Sequence, residues 1–311
     1  FHLLREKNMS KLFILSKNKI KLCISKYMDI VYFQRWKKAT QYPCTLLNTQ
    51  KRNEKIIVSL TSFPGRIHLV HKTIQTILLQ SVKPDLIELW LAKEQFPNLE
   101  KDLPSELIEL TQFGLNICWC NDYRSFKKLV PSLLKHPDAI IVTADDDVYY
   151  APNWLERLYS SYSDDKNCIY CHKATKFSYE NGKFNAIGGG KKYHHGASFL
   201  NKLVGVGGVL YPINSLDNEV GNSELFSRLA PTNDDIWFWF MAIKAGTRIK
   251  IVKGNHPKPV DVYGSQSTIK LTDINDNGNM LFWSQFNNLI DYYPEIRNTL
   301  ISEMKQKHIR G

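Results

Sequence analysis

Three consecutive aspartates, Asp145, Asp146 and Asp147, are the residues whose type and position most clearly suit chemistry. They follow an apolar, β-branched run, residues 139–144, which is typical of a buried strand in a parallel sheet. Open α/β sheets bind their ligands at the carboxyl ends of such strands. Because alternate residues of an extended segment point the same way, Asp145 and Asp147 are expected to converge while Asp146 faces elsewhere. Two converging carboxylates need a counter-ion, and hard oxygen ligands select Mg²⁺ or Mn²⁺, usually shared with substrate phosphates.

The alternative interpretation of this acidic run is structural. Acidic residues favour turns and helix N-termini, and a helix is expected to begin near Asn153. A solvated turn that caps this helix would account for three aspartates without any ligand.

The elements that must position these aspartates alternate along the first half of the chain. Four strands are predicted, at residues 55–60, 86–92, 115–120 and 139–144, with helical segments between them. This alternation predicts an α/β fold, with a mostly parallel, Rossmann-like sheet flanked by helices. The polar loops at Thr61, Asp122 and Asp145 should then gather at one edge of the sheet.

No glycine-rich phosphate-binding loop is present to bind a nucleotide. The sequence lacks a Gly-x-x-x-x-Gly-Lys-[Ser/Thr] motif, and residues 205–208, Gly-Val-Gly-Gly, lack the strand-to-helix setting of a dinucleotide fingerprint. A metal on Asp145 and Asp147 would therefore hold the diphosphate group of a bound nucleotide, aided by Lys127 or Lys128.

Charge is distributed unevenly along the chain. The net charge is +11, and residues 1–55 contain 13 Lys and Arg against 3 Asp and Glu. Apolar residues interspersed in this basic segment suit the surface of an anionic membrane, and a solvated helical arm or a protein-docking segment is the alternative. No apolar run approaches the roughly 18 residues needed to span a bilayer. Nucleic-acid binding is not expected, because no reading motif accompanies the charge.

Five segments, taken in order, resemble one known family. They are residues 57–66 (IVSLTSFPGR), 80–85 (QSVKPD), 143–150 (TADDDVYY), 207–212 (GGVLYP) and 233–238 (NDDIWF). This set resembles bacterial glycosyltransferases of the GT-A fold, family 2-like, of the sort found in surface-polysaccharide loci. The resemblance covers approximately residues 55–288.

The resemblance implies a nucleotide-sugar donor, UDP-linked by the habit of the family, and Mn²⁺ or Mg²⁺ on Asp147 and Asp145. The run of three aspartates leaves open whether Asp145 or Asp146 is the partner of Asp147. The resemblance also makes His256 a candidate third metal ligand, with an ordinary loop histidine as the alternative. The remaining residues expected at the donor site are Ser59, Thr61, Arg66, Asp122, Asp146, Lys127, Lys128, Gly207 and Gly208.

The two glycines belong to residues 201–212, a glycine-rich stretch that ends in an apolar strand. Such a stretch suits a floor where the backbone approaches a sugar closely. An ordinary bulged strand is the alternative.

A second acidic pair, Asp234 and Asp235, precedes the apolar residues 236–242. Inverting glycosyl transfer needs one carboxylate to take a proton from the acceptor hydroxyl. We expect Asp235 to be this base, with Asp234 as the second candidate. The alternative is that the pair only caps a helix. Trp237 and Trp239 are candidates either for sugar stacking or for the core.

Three parts are therefore predicted: a basic, partly helical arm over residues 1–54, a GT-A-like catalytic domain over residues 55–288, and a charged C-terminal helix or tail over residues 289–311. The predicted reaction moves a sugar to a carbohydrate or lipid-linked acceptor, with inversion favoured because no nucleophile for a double displacement is evident. The expected location is the cytoplasm, with peripheral contact at the inner face of the plasma membrane.

Two other functions compete with this hypothesis. A metal-dependent nucleotidyltransferase would also use paired carboxylates on a parallel sheet, but it would release diphosphate from a nucleoside triphosphate. A non-catalytic carbohydrate-binding protein would function without the two acidic groups.

Overall fold

The central sheet is built from the apolar runs that lie between turn residues in the sequence. The computed structural model describes residues 2–42, 45–189, 196–252, 259–265 and 280–309. The strands in these residues are β1 (Lys55–Thr61), β2 (Leu86–Ala92), β3 (Leu115–Cys120), β4 (Ala139–Thr143), β5 (Val148–Tyr149), β6 (Cys168–Cys171), β7 (Ala174–Glu180), β8 (Lys183–Gly188), β9 (Asn201–Leu203), β10 (Val209–Tyr211), β11 (Arg248–Ile251) and β12 (Val260–Asp261).

Helices cover both faces of this sheet. The α-helices in the described residues are α1 (His2–Ala39), α2 (Val70–Leu78), α3 (Ser105–Ile108), α4 (Val130–Lys135), α5 (Trp154–Asp164), α6 (Ser223–Leu229), α7 (Asp234–Lys244), α8 (Met280–Tyr292) and α9 (Pro294–Ile309).

Seven strands form the main sheet, in the order β11-β6-β10-β4-β1-β2-β3. β1 is parallel to β2 and β4, β2 is parallel to β3, and β6 is parallel to β11, whereas β10 is antiparallel to both of its neighbours. This topology confirms the predicted fold class, an α/β fold with a mostly parallel sheet flanked by helices. The carboxyl ends of β1 and β4 therefore lie side by side at one edge.

Apolar side chains cover both faces of the sheet, because successive side chains of each strand point to opposite faces. In β1, Ile57 packs in one apolar cluster, while Ile56 and Val58 pack in the cluster on the opposite face. Helix α7 is enclosed by the first of these clusters, and both Trp237 and Trp239 are fully buried there. A helix that is apolar on all sides belongs in a core. The two tryptophans are thus core residues and offer no face for a sugar.

Helix α1 is continuous, and its second half docks beside the acidic run. Tyr32 stacks on Tyr149 with ring centroids 5.2 Å apart and donates a hydrogen bond to the Tyr150 carbonyl at 2.8 Å. Asp29 forms an ion pair with Lys72 of α2 at 2.8 Å. Within the described residues, no helix combines the length and the apolar character needed to cross a membrane.

The C-terminal part of the chain contributes to the same core. The predicted boundary at residue 288 lies within α8, which continues to Tyr292. Beyond it, Ile296 and Leu300 of α9 are buried in the cluster that surrounds α7. The core therefore extends past the predicted end of the catalytic domain.

Candidate active site

One cavity of about 800 Å³ opens where β1 and β4 end and where α7 begins. Its acidic lining residues are Asp145, Asp146, Asp147, Asp234, Asp235 and Asp261. Its basic lining residues are Arg66, Arg124, Lys127, Lys128, Lys173 and Lys202. The cavity thus contains both predicted acidic groups. One group follows a strand in the first half of the chain, and the other lies at the start of a helix in the second half.

The three consecutive aspartates have different surroundings. Asp146 is nearly buried, and its carboxylate accepts hydrogen bonds from Ser62 Oγ at 2.6 Å and from Arg66 Nη1 at 2.9 Å. The same Arg66 Nη1 lies 3.0 Å from Asp147 Oδ2. Asp145 faces Lys128, with Oδ1 3.9 Å from Lys128 Nζ. Asp146 is therefore held by Ser62 and Arg66, while Asp145 and Asp147 are the more exposed pair.

The electrostatics around Asp145 leave its negative charge incompletely compensated. Burial raises the pKa of Asp145 to about 6, Lys128 lowers it, and the neighbouring carboxylate of Asp147 raises it again. Burial also raises the pKa of Asp146, although Arg66 and Ser62 oppose that effect. A buried carboxylate next to other carboxylates is a position that a bound cation would stabilise.

The donor atoms present fit a hard divalent cation. Mg²⁺ and Mn²⁺ are commonly held by one or two carboxylates together with waters and substrate phosphates. Asp145 and Asp147 supply two such carboxylates at the cavity wall. The part of the chain that the structure describes contains no group of three or more His, Cys, Asp or Glu able to hold a metal. His256, the expected third ligand, lies outside the described residues.

Lys128 is the cation that the two acidic groups share. Its Nζ lies 2.7 Å from Asp234 Oδ2, 3.8 Å from Asp235 Oδ1 and 3.9 Å from Asp145 Oδ1. Burial alone would lower the pKa of Lys128, but these three carboxylates hold it well above its ordinary value. The lysine is therefore charged, and it is a structural counter-ion as well as a wall of the cavity.

The start of α7 is capped by Asn233 and not by the acidic pair. The Asn233 side chain accepts a hydrogen bond from the Ile236 N–H at 3.1 Å. Asp234 instead accepts a hydrogen bond from Ser125 Oγ at 2.9 Å, and Asp235 Oδ2 accepts one from the Gly205 N–H at 2.9 Å. Both carboxylates are thus directed to the cavity wall, away from the capping position.

Gly205 is the glycine at which the backbone approaches the acidic pair closely. A Cβ at this position would lie 2.8 Å from Asp235 Oδ1 and 2.8 Å from Lys128 Nζ. Gly207 and Gly208, the glycines expected at the donor site, face Trp154 instead. The Gly207 carbonyl accepts a hydrogen bond from Trp154 Nε1 at 2.6 Å, and a Cβ on Gly208 would lie 2.5 Å from the Trp154 ring.

Two further donor-site candidates lie outside the cavity lining. Ser59 is fully buried in the sheet, where its Oγ is 2.8 Å from the Oγ of Ser132. Asp122 accepts hydrogen bonds from Lys127 Nζ at 2.7 Å and from Gln95 Nε2 at 2.8 Å, so it holds lining residues in place from behind. Thr61 does line the cavity, and its Oγ1 donates to the Trp90 carbonyl at 2.7 Å.

Sequence reasoning missed several lining residues, among them two lysines and two aromatic residues. The lysines are Lys173 and Lys202, and the aromatic residues are Phe282 and Trp283. The signal for Lys202 is a lysine next to apolar residues in a short buried strand, where charge is unusual. The two aromatic residues carry no such signal, because apolar residues at the start of a helix normally belong to the core.

Neither a protein-family model nor a curated protein matches this sequence. Among solved structures, the chain is similar to a CMP:2-keto-3-deoxy-manno-octonic acid synthetase complexed with CTP, with 14% identity, a TM-score of 0.39, and coverage of 65% of this chain and 90% of that one. It is also similar to a 4-diphosphocytidyl-2C-methyl-D-erythritol synthase, with 14% identity, a TM-score of 0.40, and coverage of 70% and 96% respectively. These are low-identity similarities of chain fold.

Proposed function

We propose that the protein is a metal-dependent glycosyltransferase that moves a sugar from a nucleotide-sugar, most simply a UDP-sugar, to a carbohydrate or lipid-linked acceptor of surface polysaccharide biosynthesis. The observation that carries the proposal is the arrangement of two acidic groups around buried Lys128 in one cavity. One group, at the end of β4, suits a metal, and the other, at the start of α7, suits a base.

The metal side of the site would be formed by Asp145 and Asp147. A bound Mn²⁺ or Mg²⁺ would neutralise the departing diphosphate as a Lewis acid. Arg66 lies 3.0 Å from Asp147 and supplies a second positive charge at the same edge. Asp146 would keep this edge in place through Ser62 and Arg66.

The base would be Asp235. Its Oδ2 is fixed by the Gly205 N–H, while Oδ1 accepts no hydrogen bond within the described residues. Oδ1 is buried and lies 3.8 Å from Lys128 Nζ. Acceptor binding would have to bring the acceptor hydroxyl to this carboxylate, which would take its proton as that oxygen bonds to the sugar and the sugar–phosphate bond breaks. Asp234 is occupied by Ser125 and Lys128, which favours a positioning role for it.

Product analysis with purified protein tests this proposal. UDP-sugars are supplied with Mn²⁺, and released UDP and the transferred sugar are measured. We expect Asp235→Asn to lower turnover by about 100-fold or more, since general base catalysis is worth that much, while metal-dependent UDP binding persists. Asp164→Asn, at the end of α5, is the matched control. Turnover of Asp235→Asn equal to that of the control would remove the assignment.

A nucleotidyltransferase is the second candidate, because it would use the same paired carboxylates at the end of a parallel strand. Asp145 and Asp147 would then hold the metal of a nucleoside triphosphate. The two reactions differ in their products. Release of pyrophosphate from a nucleoside triphosphate and a sugar phosphate would establish this second function, whereas release of a nucleoside diphosphate would establish glycosyl transfer.

We also propose that α1 contacts an anionic membrane surface, which would place the enzyme at the inner face of the plasma membrane. Ile20, Ile24, Tyr27 and Ile30 are spaced along one side of α1 and are 45–65% exposed. The opposite side, which includes Tyr32, is docked on the catalytic domain. Exposed lysines flank the apolar side, as expected for a helix that lies in a lipid interface.

A further inference from the structure

Lys202 of β9 is a buried cation that the proposed reaction does not use. Only 8% of its surface is exposed, and its Nζ donates a hydrogen bond to the Leu203 carbonyl at 3.2 Å. Within the described residues it forms no ion pair with a carboxylate, whereas Arg66, Lys127 and Lys128 in the same cavity all do. A buried charge without an opposite charge is costly to the fold.

A second lysine, which is exposed, lines the cavity as well. Lys173 precedes β7 and lines the same part of the cavity. Burial lowers the pKa of Lys202, and the charge of Lys173 lowers it further, whereas Asp235 and Asp234 act in the opposite direction. Both lysines line the cavity, and Lys202 is buried there without an ion-pair partner among the described residues. An anion bound at Lys202 would offset the cost of burying its charge.

Aromatic side chains border the two lysines. The Nζ of Lys202 lies 5.8 Å from the ring centroid of Phe282, and Phe282 meets Trp283 edge to face with centroids 5.2 Å apart. Both rings line the cavity. Aromatic faces bind the apolar side of a sugar ring, because they offer a large rigid surface that is partly desolvated.

These residues belong to the base side of the site. Lys202 lies three residues before Gly205, whose N–H binds Asp235. Arg66, by contrast, pairs with the acidic run at the end of β4, where the donor diphosphate is expected. An anion at Lys202 would therefore belong to the molecule that is deprotonated by Asp235.

We propose that Lys202 and Lys173 bind the anionic group of a charged saccharide acceptor, a phosphate or a carboxylate, while Phe282 and Trp283 support its sugar ring. This inference rests on the proposed glycosyl transfer, because it names the acceptor class of that same site. Both kinds of acceptor carry an anionic group on a sugar, as a sugar phosphate or a uronic acid does.

Ligand-observed NMR titration with glucose, glucose 1-phosphate and glucuronic acid tests the inference. We expect the wild type to bind at least one charged sugar about tenfold or more tightly than glucose, since a charge-assisted hydrogen bond contributes at least that factor. Preference for glucose 1-phosphate alone would identify a phosphate acceptor, and preference for glucuronic acid alone would identify a carboxylate. Equal affinity for all three sugars would overturn the inference.

The variant Lys202→Met tests the residue itself, since it keeps the apolar stem and removes the charge. We expect it to lose the preference for the charged sugar, to bind UDP with Mn²⁺ within about twofold of the wild type, and to melt at or above the wild-type temperature. Lys202→Arg should retain the preference, and Lys183→Met, on exposed β8, is the control.

Two results of the UDP-binding measurement distinguish a failure of the acceptor proposal from a failure of the proposed glycosyl transfer. If Lys202→Met weakens UDP binding as much as charged-sugar binding, the anion at Lys202 is the donor diphosphate and the inference fails. If the wild type shows no metal-dependent UDP binding, the proposed glycosyl transfer is wrong. A charged sugar that still binds could then no longer be called the acceptor, and the inference would be wrong as well.

Discussion

Lys128 Nζ lies 2.7 Å from Asp234 Oδ2, and this buried ion pair joins two halves of the chain that are more than a hundred residues apart. Lys128 ends the short 3₁₀ helix Arg124–Lys128 that follows β3, whereas Asp234 begins α7. The same ammonium group lies within 4 Å of Asp145 and Asp235. The site and the fold therefore share one cation.

Replacing Lys128 by methionine should destabilise the protein by about 3–5 kcal/mol, because it leaves several buried carboxylates without their cation. Urea unfolding at pH 7.5 measures the loss. Lys127→Met is the matched control, since its partner Asp122 is one-third exposed and remains in contact with water. Equal losses in the two variants would contradict the role of Lys128 as a shared counter-ion.

Two glycines should respond differently to alanine. Gly208 has φ +95°, and its Cβ would lie 2.5 Å from Trp154, so Gly208→Ala should destabilise the fold by more than about 2 kcal/mol. Gly205→Ala should change stability less but lower turnover about tenfold or more, because the new Cβ displaces Asp235 and Lys128. Thermal melting and the UDP-release assay measure the two effects. Wild-type turnover in Gly205→Ala would show that this contact is unimportant.

Stability should decrease in acid through Glu88, which is fully buried in β2. Burial raises its pKa, but hydrogen bonds from Lys135, His136 and Ser132 outweigh burial and hold the pKa below its ordinary value of 4.5. A depressed folded-state pKa gives stability that is present above pH 4.5 and is lost as the pH falls through the lower folded-state value.

The variant Glu88→Gln should remove that part of the acid dependence and lower stability at pH 7 by about 1–3 kcal/mol, since charged hydrogen bonds are lost. Urea unfolding from pH 7 to pH 3 gives both quantities. Glu224→Gln, at an exposed position in α6, is the control. If Glu88→Gln left the pH dependence of the unfolding free energy unchanged, another carboxylate would have to cause the loss of stability in acid.

The exposed side of α1 should bind anionic lipid. Vesicles of phosphatidylcholine with phosphatidylserine should sediment the protein, and Ile24→Ser with Tyr27→Ser should weaken this binding about fivefold or more, because buried apolar area is lost. High salt should weaken it as well. Tyr42→Ser, at a 72% exposed position past α1, is the control. Concentration-dependent self-association without lipid binding would instead assign this side to a second copy of the chain.

Short-range sequence patterns predicted the positions of most of the central strands. The bounds predicted for β2 and β3 agree with the structure, because short apolar runs and the turn residues that flank them are properties of neighbouring positions. The helical segment expected between β3 and β4 is instead divided into the 3₁₀ helix Arg124–Lys128 and α4 (Val130–Lys135). Pro131 follows this break, and because it has no N–H it supplies no helical hydrogen bond to the preceding turn.

The amino-acid sequence by itself determined the α/β class and the position of Asp145–Asp147 at the end of a buried strand, because strand length, apolar content and turn residues are local. Only the tertiary structure decided that Lys128 serves both acidic groups, that Gly205 is the glycine against Asp235, and that Lys202 is buried with no carboxylate partner among the residues the structure describes. These relations join positions distant in the chain. They depend on how packed elements bring side chains together, which hydrophobic periodicity does not encode.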